Sequence, residues 1–356
     1  MSPDSNCCCR PVEPGSDPDV DKSRRNLRLS PAQPFTYPHR GLTPMCARNP
    51  PMTSVALRFG GYQEPASIHN RSAAYFGERL RSRLGDRLRF ELIGSVLKLG
   101  RKSGDLPSMV DAGELDFCYM ATIRFTRWVP ELRLLELPFV VQSRAAVQAA
   151  LNGELGARFG RQMARTSPYR LLGVWDNGFR HLTNKVRPIH TPADCEGLRI
   201  RTQLSELIAE SMAALGFIPI PVDIKEFIEQ VAGDRFDAQE NPLTNTYNFG
   251  VHHHHRYITL TGHLFGGAAL VCSRARYDAW PTEVRTAVDE AAREATEYRY
   301  RLAATEDDEI MAKLDPARNE IVHLTAAERT AFVAAVQPVL DKHRGSLDPQ
   351  LFEYLR

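Results

Sequence analysis

Two arginines stand two residues apart in a short segment with the pattern of a β-strand. The segment is Gly197-Leu198-Arg199-Ile200-Arg201. Because side chains alternate along a strand, Arg199 and Arg201 point to the same face. A guanidinium is permanently charged, and its planar fork matches a carboxylate with two parallel hydrogen bonds. The segment therefore predicts an anion-binding position, and the spacing alone leaves open which of the two arginines contacts the anion.

The short motifs that mark common catalytic and cofactor sites are missing from the chain. It has no GxGxxG, P-loop, GxSxG or HExxH pattern, so we expect no catalytic residues, metal site or cofactor. A run of four histidines at 252–255 contains metal-ligating side chains, but no Cys or carboxylate lies within a few residues of it. We interpret the run as a polar, partly exposed turn before a strand, with metal binding as the alternative.

The composition is that of an ordinary globular protein. Of 356 residues, 43% are hydrophobic and 25% are charged, which suits two domains of typical size. The formal net charge of +2 indicates neither a nucleic acid nor a strongly acidic partner. No stretch approaches the roughly 18 to 20 apolar residues of a membrane span. Cys118, Cys195 and Cys272 lie far apart and are expected to be small buried side chains.

Residues 1–52 differ from the rest of the chain. They hold ten of the 24 prolines and lack hydrophobic periodicity, so we expect them to be disordered. No apolar stretch of about 7 to 15 residues is found in them, and we therefore expect neither a signal peptide nor lipid attachment at the cysteines 7–9. The prolines also argue against a helix-turn-helix, and so against a DNA-binding regulator.

From residue 53 onward, strand and helix patterns alternate, which predicts a mostly parallel α/β sheet. The first half has strands and helices at 55–59, 70–84, 88–92, 106–112 and 115–119. The second half has short strands at 171–175, 179–183, 197–201, 219–221, 257–261 and 268–272, and helices at 205–215 and 225–232. A long helix rich in Ala, Glu and Arg at 281–314 is either a brace across two halves or a solvated surface helix.

Six segments, in their order and spacing, resemble the solute receptors of TRAP-type (tripartite, ATP-independent) transporters, also called the DctP family. They are Leu115-Asp116-Phe117, Pro130-Glu131 with Leu137-Pro138-Phe139, Asn177-Gly178-Phe179-Arg180, Thr191-Pro192-Ala193-Asp194 with Gly197-Leu198-Arg199-Ile200-Arg201, Asp237-Ala238-Gln239-Glu240-Asn241-Pro242, and Leu260-Thr261-Gly262-His263. The resemblance runs from Ser54 to the C-terminus. It implies an α/β fold of two lobes that close like a clamp, bridged by a long helix. The lobes are expected to hold residues 53–178 with about 267–306, and 179–266 with about 307–356.

The resemblance also selects candidate ligand-binding residues. It favours Arg201 over Arg199 as the carboxylate clamp. Pro242 biases Asn241 towards an extended backbone, from which its amide can meet a ligand oxygen, with a local Asx turn as the alternative. Glu240 is expected to pair with a neighbouring Arg or Lys. Further positions, implied by the resemblance or by their place in loops after strands, are Arg180, Arg124, Thr122, Tyr62 and Gln63.

The function implied by the resemblance is transport: a periplasmic receptor delivers its ligand to a permease of one small and one large membrane subunit. Several arginines facing one cavity repel each other unless the ligand is negative, which favours a small mono- or dicarboxylate such as a 2-oxo or hydroxy acid. Aromatic acids stay open, since Trp175, Phe179 and Phe265 offer an apolar wall. Sialic-acid receptors of the family carry acidic groups where this chain has Ala121, so that ligand is not expected.

Two other functions are open at this point. The same clamp without a permease would be a sensor subunit or a cytoplasmic carboxylate-binding protein. The lack of a leader in residues 1–52 favours this, although a misassigned start codon explains the same observation. An enzyme acting on a carboxylic acid would use Arg201 as its anchor and His181 or His263 as acid–base. No nucleophile, metal site or cofactor loop accompanies those histidines in the sequence.

Overall fold

Nine β-strands form one sheet within residues 54–355, the part of the chain that the computed structural model describes. The segment 1–52, expected to be disordered, lies outside it. The strands are β1 (Val55–Gly60), β2 (Leu88–Ile93), β3 (Phe117–Ala121), β4 (Tyr169–Asn184), β5 (Arg199–Thr202), β6 (Ile218–Pro221), β7 (Ala238–Pro242), β8 (Tyr257–Ser273) and β9 (Glu320–Val322).

Helices cover the sheet and connect most of its strands. Within the described residues they are α1 (Ile68–Leu84), α2 (Leu106–Asp111), α3 (Arg144–Asn152), α4 (Glu154–Thr166), α5 (Glu206–Ala214), α6 (Ile224–Gln230), α7 (Leu243–Asn248), α8 (Arg274–Ala279), α9 (Thr282–Met311), α10 (Ala326–Arg344) and α11 (Gln350–Glu353).

The sheet has two ends, and these form the cores of two lobes. Its order is β2-β1-β3-β8-β4-β7-β5-β6, with β9 beside β8. In the first lobe β1 runs parallel to β2 and β3, and in the second lobe β5 runs parallel to β6 and β7. Local strand–helix–strand units therefore build each end as parallel sheet, in agreement with the alternation of patterns in the sequence.

Two long strands, β4 and β8, join the lobes and pair antiparallel with each other. The sequence prediction of two short strands in each of these regions was wrong, because each region is one continuous strand of 16 or 17 residues. Irregular pairing explains the error. The register of β4 shifts between Asp176 and Gly178, where Gly178 has a φ of 89°, a conformation that favours glycine. Such bulges interrupt the alternating pattern without ending the strand.

Helix α9 is a brace rather than a solvated surface helix. Its small residues Ala291, Ala292 and Ala295 are fully buried, which lets the helix lie close to α1 and β4. Further along, the buried Arg299 donates from Nε to the carbonyl of Asp176 on β4 at 2.7 Å. Near its end, α9 packs against α7 of the second lobe. The same helix thus contacts both lobes.

The structure also bears on the three cysteines after residue 53 and on membrane-spanning helices. Cys118, Cys195 and Cys272 are buried, as predicted, and are free thiols. No helix among residues 54–355 has the length and apolar character needed to cross a membrane.

Candidate ligand-binding site

A small polar cavity lies between the lobes, where several strands end. It has a volume of about 30 Å³. The cavity lies at the carboxyl ends of four strands, β1, β3, β5 and β7, and is lined by residues at these ends or just after them. Open α/β sheets bind ligands at this position. The lining residues are Tyr62, Ser103, Met120, Ala121, Arg124, Asn177, Arg180, Arg201, Gln203, Ile224, Asn241 and Asn245.

Arg201 is the buried cation of the cavity that has no acidic partner among the described residues. It lies on β5 with 3% of its surface exposed, and its Nε and Nη2 donate to the carbonyl of Val222 at 3.2 and 2.9 Å. Its Nη1 has no hydrogen-bond partner within residues 54–355. Burial lowers the pKa of Arg201 to about 10, so the guanidinium is still charged at neutral pH. The side chain therefore presents to the cavity a positive charge that no described carboxylate contacts directly.

Arg180, by contrast, is neutralised by a buried carboxylate. It lies on β4, and its Nε and Nη2 contact Glu240 of β7 in a two-point ion pair. Although burial alone would raise the pKa of Glu240, the charge and hydrogen bonds of Arg180, with His263 Nε2 3.9 Å away, bring it down to about 2. The expectation that Glu240 pairs with a neighbouring cation is confirmed. Arg180 can still orient a ligand, but it adds no net charge.

Arg124 has an acidic partner from the other lobe. It follows β3, and its Nη2 lies 3.3 Å from Oδ2 of Asp223, the residue that caps α6. The same oxygen accepts from Ser103 Oγ at 2.9 Å and from the amide of Gly104 at 3.2 Å. Burial raises the pKa of Asp223, yet these hydrogen bonds and that of Lys225 lower it overall. Asp223 is therefore a carboxylate that joins the lobes at the cavity wall.

Side-chain amides form the uncharged part of the wall. Asn241 accepts on Oδ1 from Arg180 at 3.2 Å and from Asn245 at 3.1 Å, and its Nδ2 donates to Gln239 at 2.7 Å. Gln203 turns its amide oxygen to Arg180 Nη1 at 3.0 Å, the orientation that satisfies both groups. Such amides can exchange these bonds for bonds to hydroxyl or oxo groups of a ligand.

The structure brings five of the seven predicted site residues together at the cavity: Tyr62, Arg124, Arg180, Arg201 and Asn241. The other two lie behind the wall. Gln63 donates to Asn245 Oδ1 at 2.8 Å and so supports a lining amide. Thr122 donates to the carbonyl of Gly267 at 3.3 Å.

Several lining residues were not predicted from the sequence, although the spacing of two of them indicated a place in the site. Gln203 stands two positions after Arg201, so strand alternation continues the same face. Asn245 stands four positions after Asn241, about one helical turn. Ser103 and Ile224 carried no such signal, because they reach the cavity from loops and helix starts that the fold alone brings there.

The four histidines at 252–255 are not among the lining residues of this cavity. His252 and His253 end a short turn of helix (Val251–His253), and the other two follow it before β8. His252 stacks on Tyr247 with ring centroids 4.6 Å apart, and His255 is buried against Thr183, whose Oγ1 lies 2.8 Å from its Nδ1. Within residues 54–355 no group of His, Cys, Asp and Glu side chains is arranged to hold a metal ion.

A buried carboxyl, Glu136, is expected to make the stability of the protein depend on pH. Burial raises the pKa of Glu136 to about 8, and Thr122 Oγ1 lies 3.4 Å from its Oε1. In the unfolded chain the pKa of Glu is about 4.3. Between these values the folded protein holds a proton that the unfolded chain has released, so this group makes stability fall as pH rises, by up to about 1.4 kcal/mol per unit.

We expect Glu136→Gln to remove that dependence, since an amide does not titrate. Chemical denaturation at pH 5, 6, 7 and 8 measures it: the free energy of unfolding of wild type relative to the variant should fall steadily over this range. A constant difference between the two proteins would show that Glu136 is already ionised in the folded state.

Comparisons with known proteins agree with the geometry. The sequence model of the DctP family, described as bacterial extracellular solute-binding protein, family 7, matches residues 59–345. The chain belongs to this family. The resemblance seen in the sequence, and the two-lobed α/β fold that it implied, are thereby confirmed.

Relatives and solved structures extend the comparison. The 2,3-diketo-L-gulonate-binding periplasmic protein YiaO of Escherichia coli is 27% identical over 285 residues, which are 80% of this chain and 85% of that one. A TRAP periplasmic solute-binding protein from Shewanella oneidensis with bound succinate has a TM-score of 0.80 and 24% identity, covering 85% of this chain and 98% of that one. Another, from Ralstonia eutropha H16 with bound (S)-2-acetolactate, has a TM-score of 0.77 and 23% identity, covering 84% and 97%.

Proposed function

We propose that this family member captures a small organic carboxylate in the cavity between its lobes and delivers it to a TRAP-type membrane permease. The observation that carries the proposal is Arg201, a buried and charged guanidinium without an acidic partner among the described residues. A ligand carboxylate can supply the missing charge through two parallel hydrogen bonds. Relatives named for a diketo sugar acid and for C4-dicarboxylates support this class of ligand.

The clamp motion is part of the proposal. We assign residues 53–178 with about 267–306 to the first lobe, and 179–266 with about 307–356 to the second. Polar contacts cross the cleft at Asp223, as described, and at Lys225, whose Nζ donates to the carbonyl of Gly100 at 2.9 Å. Contacts of this kind favour the closed clamp once a ligand has joined the lobes.

We infer the partners and the location from the family. A receptor of this kind works outside the cytoplasmic membrane and hands its ligand to a small and a large permease subunit. Periplasmic location is supported by the names of relatives such as YiaO and the C4-dicarboxylate-binding protein DctP of Rhodobacter capsulatus. A sensor subunit built on the same clamp would bind the same acids without a permease.

We do not include catalysis in the proposal. The two histidines considered as acid–base groups, His181 and His263, are buried behind the cavity wall and are not among its lining residues. Burial lowers the pKa of His181 to about 3, so this side chain is the neutral imidazole at neutral pH.

A thermal-shift screen of the full chain against a library of organic acids tests the proposal. Ligand at 100 times its dissociation constant adds about 2.7 kcal/mol of stability, an increase of a few degrees in Tm. We expect one or more small carboxylic acids to raise Tm and neutral sugars and amines to leave it unchanged. Stabilisation by sugars or amines alone would contradict the assignment.

A further inference from the structure

The cationic groups of the cavity are not equivalent, and this bears on how much negative charge a ligand can bring. Three arginines line the cavity: Arg124, Arg180 and Arg201. Two of them are paired within the protein, Arg124 with Asp223 and Arg180 with Glu240. The remaining carboxyl nearby, Glu136, has a raised pKa, so it adds little negative charge at neutral pH. The groups around the cavity therefore sum to about one positive charge.

The carboxylate of Asp223 is held beside Arg124 by several further hydrogen bonds. Ser103 Oγ, the amide of Gly104 and Arg124 all donate to its Oδ2, and the amide of Lys225 donates to Oδ1 at 3.0 Å. Only 5% of its surface is exposed. A carboxylate with four donors does not leave its place readily, because each lost charge-assisted bond has to be replaced.

We propose that Asp223 is the residue that sets the charge class of the ligand: by neutralising Arg124 from the opposite lobe, it restricts the cavity to monocarboxylates. This inference rests on the proposed function and sharpens it. A monoanion matches the single free charge of Arg201. The second carboxylate of a dianion would have to approach an arginine that Asp223 or Glu240 already neutralises, and would pay its desolvation without a matching cation.

Other groups that line the cavity suit an uncharged end of such a ligand. Asn177, Asn241 and Asn245 are amides, and Arg124 still has an Nε without a partner among the described residues. Amides and a neutralised guanidinium can bond to hydroxyl and oxo oxygens. The cavity thus fits a small 2-hydroxy or 2-oxo monocarboxylate better than a dicarboxylate of the same length.

Calorimetric titration of the full chain with malonate, succinate, malate and glutarate, each beside its own half-amide, tests this directly. The half-amide has nearly the shape of the diacid but carries one negative charge. We expect wild type to bind half-amides more tightly than diacids. In Asp223→Asn, which frees Arg124, we expect the affinity ratio to move towards the diacid by about tenfold or more.

Two further variants distinguish the effect of the Asp223 charge on ligand preference from the effect of losing its contacts between the lobes. Asp237→Asn removes a carboxylate paired with Arg199 at the surface of the same lobe, and the ratio should stay as in wild type. The double variant Arg124→Gln with Asp223→Asn has the net charge of wild type, and it should regain the preference for half-amides even if all affinities drop. If the affinity ratio in Asp223→Asn changed only because contacts between the lobes were lost, the double variant would not regain the preference for half-amides.

The outcomes distinguish this inference from the proposed function. If wild type prefers diacids, or if Asp223→Asn leaves the ratio unchanged, Asp223 does not set the charge class, while carboxylate capture stands. If neither these compounds nor the acids of the thermal-shift library bind wild type at all, the proposed function itself fails.

Discussion

Arg201→Ala is expected to abolish binding of organic acids while the protein stays folded. Arg201 is the cavity arginine that makes no ion pair with a described carboxylate, so its loss leaves the ligand carboxylate desolvated without a cation. Truncating one partner of a buried charge pair costs about 2 to 5 kcal/mol, which is about thirtyfold to several-thousandfold in Kd. Calorimetric titration with an acid that stabilises wild type measures the loss.

The matched control for this variant is Arg199→Ala. Arg199 lies two residues earlier on β5, but it pairs with Asp237 at the surface, with 42% of its side chain exposed. Its loss should leave affinity within a small factor of wild type. Equal losses in the two variants, or an Arg201→Ala protein that no longer unfolds cooperatively, would contradict the assigned role.

Glu240→Gln is expected to give the largest loss of stability. The change leaves the Arg180 guanidinium, which is 3% exposed, without its carboxylate. Breaking a buried ion pair by removing one partner costs about 3 to 5 kcal/mol, because the other charge stays buried. Urea denaturation, with the free energy of unfolding extrapolated to water, measures this.

Two further sets of variants test whether this loss of stability comes from the buried charge of Arg180. Glu91→Gln breaks the exposed pair of Arg58 and Glu91, and we expect less than about 1 kcal/mol. Replacing both buried partners, as in Arg180→Met with Glu240→Leu, should cost less than Glu240→Gln alone, since no charge is left buried. If the double variant is as unstable as the single one, the cost comes from packing and not from charge.

Much of the fold could be predicted from the sequence because it depends on local patterns. The helical spacing of Ala73, Phe76, Leu80 and Leu84 predicted α1, and these side chains are buried. The alternation of strands and helices predicted the parallel ends of the sheet. The continuity of β4 and β8 could not be predicted, because bulges such as that at Gly178 break the pattern where the chain passes between lobes.

The site could be predicted where chemistry follows from residue type and strand position. Arg201 and Asn241 lie at strand ends, and the resemblance selected them. The pairing of Arg124 with Asp223 could not be predicted, since the two residues are 99 positions apart and meet only across the cleft. The same holds for Glu136, whose burial depends on tertiary packing that no local pattern records.

The central claim is that a single ligand carboxylate is bound by the free charge of Arg201. Its most direct test is a calorimetric titration of wild type with the acid that stabilises it best and with the primary amide of that same acid. We predict that the acid binds and that its amide, nearly identical in shape but uncharged, binds at least about a hundredfold more weakly. Equal binding of acid and amide would show that the cavity recognises shape and hydrogen bonds, and that Arg201 does not act as a carboxylate clamp.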